Sequence, residues 1–420
     1  MGMTKMHCIT DYWRQVDLYN FRFPRSVMPC LKFQLINTAI HMSDPDDDAA
    51  NKAHRGTPEY DCLHKLKPMY TELREACRNN FHPYQHIGVG EREVCSTVQD
   101  PQNKYGYKWF VLGDSRCGYM WDFHMNEGRP AMARDEGLSY DCVMELVSTK
   151  ALGSGYKLYV VDDLNNNSPE LFKDLLQQKV WACGTVRPNC KGFPTNRPGS
   201  LDKKSPRGAI RWIREDPLLF VQWRDKYDGH MCSTMHQAHA GQTIQRKVKG
   251  ANGMWSTQNI PVPPAVKDYI KRGDEADLSD VVTRYYNLPA ISRKWYRSLF
   301  FDLIDIAIVN AFVLHREMIA QSKKGETPKT QKAFREELVE QLAKAGSPAT
   351  RFATAPPSSS SAPVGGMHLP VYLGEDATRV RKRCIVCQLK TPISCQSCDL
   401  PFCFVSDRNC YHQWHMQNVT

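Results

Sequence analysis

The chain has 420 residues, which at roughly 100 to 200 residues per domain makes about two to four domains with a sizeable core. Lys plus Arg is 55 against 45 for Asp plus Glu, a net charge of +10, and 41% of the residues are hydrophobic. This basic, globular composition excludes wholesale disorder, an acidic interaction tail and a small disulfide-stapled scaffold.

The N-terminal MGMTKMHCITDYWRQ lacks the apolar core of a signal peptide, and Met6 stands where a myristoylation signal needs Ser or Thr, so the chain reads as intracellular. TDYW predicts an N-cap entering a helix. CLHKLKPMYTELREACRNNF predicts another, because Leu63, Leu66, Tyr70, Leu73 and Cys77 recur at helical spacing. The SDPDDDAANKAHRG segment between them reads as a solvated loop. From about Ile87 the pattern changes to short aromatic and β-branched runs between Gly-rich turns. YGYKWFVLGDS, GYMWDFHM, GLSYDCVMELV and GYKLYVVDD are read as successive strands, and ELFKDLLQQ as a short amphipathic helix. The centre is therefore an α/β or α+β domain.

From Thr185 to Lys249 the chain turns basic, and Arg187 to Arg214 holds eight Lys or Arg against one acid, Asp202. Such a one-sided run favours phosphate contact, with Arg187 and Lys191 the leading candidates and Arg207 and Arg211 further along. Aromatics interleave with it (Trp212, Phe220, Trp223, Tyr227, Trp255); they could stack on bases or simply form the local core. RKWYRSLFFDLIDIAIVNAFVLHREMIAQ predicts a long apolar helix buried between domains. Its Leu299 to Leu314 stretch, interrupted by Asp302, Asp305 and Asn310, falls short of a bilayer span, so no membrane partner is expected. A second helix should place Phe334, Leu338 and Leu342 on one face, and an Ala/Ser/Pro-rich stretch then reads as a flexible linker.

Six of the 16 cysteines fall within the 27 residues from Cys384 to Cys410. Two C-x2-C pairs, Cys384/Cys387 and Cys395/Cys398, are followed by Cys403, Cys410, His412 and His415. Eight such donors match two closed four-ligand Zn²⁺ sites, with His412 the weakest ligand of the set.

Taken together, TDYW, FPRSVMPCLKFQLINTAIHMSD, KYGYKWFVLGDSRCGYMWDF, SPELFKDL, ACGTVRPN, RGAIRWIREDPLLFVQWRD, IPVPPAVKDY and the cysteine array resemble the piggyBac transposases and the proteins derived from them. The resemblance implies a mixed α/β and α architecture, namely an RNase H-like catalytic core with an inserted domain, a surrounding helical dimerisation and DNA-binding domain, and a small zinc-binding module. The implied boundaries are 1–84 for a truncated N-terminal helical part, 85–286 for the core with its insertion at about 185–260, and 287–345 for the second helical part. A linker at 346–378 and the zinc module at 379–420 follow. It further implies a nuclear homodimer acting on DNA at TTAA-containing targets and terminal repeats.

Cut-and-paste transposition needs carboxylates that hold two Mg²⁺ ions. Counting from SPELF, the resemblance places the second acid at Asp163, and the block Glu275 to Asp280 supplies Asp277 with the auxiliary Asp280. At the first position HPYQHIGVGERE offers Gly90. Its neighbour Glu91 points to the opposite face of a strand and cannot substitute without a slip in register. Asn165, Asn166 and Asn167 replace the residues usual after the second acid, and the segment from Glu93 to Asn103 is short. The sequence therefore reads as a transposase-derived DNA-binding protein with lost or impaired cleavage. The alternatives are an active metal-dependent enzyme, or a decayed element copy without physiological role.

Overall fold

A computed structural model describes residues 4, 6, 8–15, 21–57, 59–61, 63–93, 108–126, 138–148, 152–160, 167–194, 201, 204–249, 253–272, 295–322, 326–346, 369–373, 381–396, 400–405 and 408–418. Two units separate, Met1–Pro348 and Ala349–Thr420.

The first unit opens with a five-residue 3-10 turn, Ile9–Trp13, where TDYW had suggested a full helix. Helices α1 (Arg22–Val27) and α2 (Cys30–Ala39) follow. Residues Pro45–Ala53, expected as a solvated loop, form helix α3 instead. The reason is local. Asp44 caps the helix by accepting from the Asp46 amide at 2.9 Å, Pro45 occupies N1, and Asp46, Asp47 and Asp48 sit at the positive end of the helix dipole. Helix α4 (Lys67–Asn80) matches its expected periodicity.

An eight-stranded sheet dominates this unit. Its strands are β1 (His86–Glu93), β2 (Lys108–Asp114), β3 (Met120–Asn126), β4 (Lys157–Val160), β5 (Trp181–Thr185), β6 (Ile210–Glu215), β7 (Leu218–Arg224) and β8 (Asp228–Ser233). The order is β3-β2-β1-β4-β5-β8-β7-β6; β4 runs parallel to both β1 and β5, and the other pairings are antiparallel. The basic stretch after β5 thus extends the central sheet. GLSYDCVMELV, read as a strand, is helix α5 (Leu138–Leu146). Its buried residues Cys142, Val143 and Leu146 recur at helical spacing, and a run this short is ambiguous between the two periods. Helix α6 (Pro169–Gln177), capped by Ser168, packs Leu171, Phe172 and Leu175 into the core.

Strands β9 (Thr243–Lys249) and β10 (Trp255–Pro261) form a separate antiparallel ribbon, and residues 264–272 are helix α7. Helix α8 (Trp295–Gln321) is, by length and composition, long and apolar enough to cross a bilayer, which corrects the shorter span read from the sequence. More than half of its apolar window is buried, however, with Leu299, Leu303, Ile306, Val309 and Val313 in the main core. The polar interruptions have tertiary partners. Asn310 accepts from the Met120 amide at 2.9 Å and donates to the Met120 carbonyl at 2.8 Å, acting as a surrogate strand for the edge of β3. Asp305 lies 3.6 Å from Arg335 on helix α9 (Gln331–Ala345), both almost fully buried. On α9 it is Arg335 that faces inward, whereas Leu342, expected on the apolar face, is exposed.

The second unit contains short strands β11 (Pro370–Tyr372), β12 (Lys382–Arg383), β13 (Lys390–Thr391) and β14 (Ile393–Cys395), and helix α10 (Cys410–Asn418). Apart from Gly346 and residues 369–373, the linker lies outside the described residues.

Candidate functional site

Strand β1 sits in the middle of the sheet, with Val89 opposite Val160 of β4 and Gly90 opposite Val111 of β2. Directly opposed residues share a face, and the face alternates along each strand. Gly90 therefore shares its face with Gly88, His86 and Tyr159. Glu91, opposed to Phe110, shares the other with Val89. Burial drives the Cys142 thiol on α5 up to about 12. Asp163, Asp277 and Asp280 lie outside the described residues, as do Asn165 and Asn166. Asn167 is buried and donates to the Thr185 carbonyl at 3.0 Å, tying the start of α6 to the end of β5.

On the Gly90 face, towards the start of β1, lies a polar cluster assembled from residues far apart along the chain. Tyr159 donates to Asp268 of α7 at 2.7 Å, and its hydroxyl is 3.1 Å from His86 Nδ1. His236 Nε2 is 3.2 Å from the same Asp268 oxygen, while its Nδ1 is 2.8 Å from the Ser233 hydroxyl. The hydrogen bond from His236, with that from Tyr159, holds the Asp268 carboxyl well below the usual range against the opposing effect of burial. Burial, then the adjacent Asp268, raises the Tyr159 phenol. The cluster pins α7 to β4 and β8.

The basic candidates differ in their surroundings. Arg187 and Lys191, just after β5, are exposed. Arg207 is drawn into an ion pair with Asp225 at 2.5 Å, which Arg246 of β9 also contacts at 3.1 Å. Arg211 is on β6 opposite Gln222, half-buried. Of the interleaved aromatics, Phe220 and Trp223 are core residues, and Trp223 donates to the Pro261 carbonyl at 2.9 Å. Trp212, Tyr227 and Trp255 are exposed.

In the second unit the Sγ atoms of Cys384, Cys387, Cys403 and Cys410 all lie within 4.8 Å of one another. Cys384 and Cys387 flank the tight turn between β12 and β13, which closes with Gln388 at a left-handed φ of 63°. Cys410 opens α10. Four clustered thiols suit one tetrahedral thiophilic ion, whose sulfur ligands stand about 3.8 Å apart given Zn–S bonds of about 2.3 Å. Burial opposes ionisation of Cys384, yet the backbone amides of Cys387, Cys403 and Val386 outweigh it and bring the thiol down to about 7. A second pair of donors, Cys395 Sγ and His415 Nε2, stands 3.2 Å apart beneath Phe402 and Tyr411. Cys398 lies outside the described residues; His412 is exposed, and its amide donates to Asn409.

The family model described as Transposase IS4 matches residues 1–312. Human PiggyBac transposable element-derived protein 2 is 24% identical over 294 residues, covering 68% of this chain and 48% of its own length. Human PiggyBac transposable element-derived protein 3 is 22% identical over 413 residues, covering 93% of this chain and 64% of its own. The chain thus spans from about half to just under two thirds of the length of these relatives. A cryo-EM structure of the piggyBac transposase synaptic complex with hairpin DNA superposes with a TM-score of 0.64 at 20% identity, over 92% of this chain and 80% of that one. The sequence blocks, the mixed sheet, the family model and the solved fold agree, and the chain belongs to the Transposase IS4 family, among the piggyBac-type transposases and the proteins derived from them.

Proposed function

We propose that this chain is a piggyBac transposase-derived DNA-binding protein in which strand cleavage and strand transfer are lost or strongly impaired. Strands β1 to β5 then form an RNase H-like core, a reading supported by the order β3-β2-β1-β4-β5 with parallel β1, β4 and β5. The observation that carries the loss is Gly90. The family resemblance puts it at the β1 position where the first carboxylate is called for, and Glu91 is on the opposite face beside Val89. Asp163, Asp277 and the auxiliary Asp280 would remain to hold Mg²⁺, which supplies Lewis-acid activation of the attacking oxygen and stabilisation of the leaving one. Without the first carboxylate such a site binds the ions weakly and leaves the nucleophile unplaced.

DNA is the partner favoured by the net charge of +10 and by exposed Arg187 and Lys191, with Arg211 and Arg207 as further candidates. TTAA-containing targets and a nuclear location belong to this reading as what the family resemblance implies. An exposed apolar strip of Leu31, Leu35 and Ile36 on α2 supports self-association as a homodimer. The clustered cysteines fit Zn²⁺: Cys384, Cys387, Cys403 and Cys410 would hold one ion, while Cys395, Cys398 and His415 supply donors for a second, with His412 a weaker candidate.

The deciding experiment is a Mg²⁺-dependent cleavage assay on a TTAA-flanked terminal-repeat duplex. The unmodified chain should bind without nicking, and Gly90→Asp should improve metal binding even where the short segment after β1 keeps turnover low. Cleavage by the unmodified chain that Asp163→Asn abolishes would establish the active enzyme in its place.

A further inference from the structure

The ribbon of β9 and β10 has two unlike faces. Ile244 and Ile260 turn into the second apolar core, and Arg246 on that same face is bound to Asp225. The register puts Thr243, Gln245, Lys247 and Lys249 of β9 opposite Pro261, Asn259, Thr257 and Trp255 of β10, and all eight are exposed. Lys249 directly opposes Trp255, which is 67% exposed, far beyond what a core tryptophan shows. Gln245 and Asn259 form a cross-strand pair of outward side-chain amides. No Asp or Glu occurs anywhere between Asp228 and Asp268, so the outer face carries positive charge with no acid of its own to offset it.

We infer that the outer face of this ribbon is a double-stranded DNA contact surface, with Lys247 and Lys249 on backbone phosphates, Trp255 packed against the duplex, and Gln245, Asn259 and Thr257 turned towards a groove. The inference rests on the DNA-binding reading and adds a surface to it, distinct from Arg187 and Lys191. A two-stranded ribbon fits into a DNA groove, and Gln and Asn amides are the side chains suited to pairing with adenine edges. Phosphates complement the acid-free lysine stripe. A protein partner would be expected to meet a more apolar centre than one tryptophan among amides and lysines. The ribbon is anchored at its base, where Gly208, at φ +89°, lies so close that an added Cβ would meet the Pro261 ring at 2.8 Å. The ribbon is thus held at the Ile244 and Ile260 end of its inner face, with Ser256 and Gln258 further along that face exposed, and its outer face is presented.

The test uses the full chain and a fluorescein-labelled duplex of mixed sequence, read by anisotropy across a salt series. Lys247→Gln with Lys249→Gln should weaken binding at least tenfold at physiological salt and make the log–log salt slope shallower by about two, one for each lost phosphate contact. Trp255→Ala should weaken binding roughly tenfold while leaving the slope unchanged, because it removes packing and no charge. All three side chains are exposed, and unchanged circular dichroism confirms the fold of each variant. If the unmodified chain binds and Arg187→Gln with Lys191→Gln weakens it, but the ribbon variants match the unmodified chain in affinity and slope, the ribbon is not a DNA surface and the broader reading stands. Absence of duplex binding by the unmodified chain overturns both.

Discussion

His415 holds Nε2 3.2 Å from Cys395 Sγ while its Nδ1 lies 2.7 Å from the carbonyl oxygen of Tyr411, one helical turn earlier. A carbonyl only accepts, so Nδ1 carries the proton and the lone pair of Nε2 points at the sulfur's side. This is the arrangement in which a backbone carbonyl fixes the tautomer of a metal-ligating histidine. The two donors come from β14 and α10, so an ion between them would tie the strand to the helix.

Zinc content should follow these two groupings independently. Native mass spectrometry of the full chain should detect about two ions, with Cys384→Ser releasing one and His415→Ala releasing the other. Strong chelation should remove hydrogen-exchange protection around Phe402 and Cys395 while leaving β1 and β2 protected. A chain that retains both ions after His415→Ala would exclude this histidine as a ligand.

Arg335 and Asp305 supply a stability prediction. Both are almost fully buried, so Arg335→Met should leave the Asp305 carboxylate without its neighbour and cost about 3 to 5 kcal/mol in urea unfolding. Combining it with Asp305→Leu should recover most of that loss, because an apolar pair avoids the desolvation penalty altogether. Additive losses in the double variant would show that the two side chains act separately.

Asp268 predicts a pH dependence of definite sign. Its carboxyl is depressed in the folded chain by His236 and Tyr159, relative to an ordinary value of 3.8. Its contribution is therefore fully present above that ordinary value and is lost as pH falls through the lower folded one. Asp268→Asn should lower the urea midpoint at pH 6, and the gap from the unmodified chain should narrow as the solution is acidified below about pH 4. A gap that is constant from pH 6 to pH 3 would show that the carboxylate charge is not what holds α7 to β4.

The sequence by itself carried what depends on neighbours along the chain. The periodicity of α4 and α6, the strand character of β2 to β4 and the paired cysteines were legible because helix faces, alternating strands and C-x2-C turns are local patterns. Local signals also misled where two patterns compete. The acidic run from Asp44 to Asp48 reads as solvated loop until its capping role is recognised, and Leu138–Leu146 is too short for its period to be certain. Tertiary structure alone decided the rest. It joined Cys403 and Cys410 to Cys384 and Cys387, brought Asp268 to Tyr159 and His236, and buried Trp223 while exposing Trp255. These outcomes depend on which distant strands pair and which faces they cover, and a side chain's chemistry does not encode its partner across a sheet.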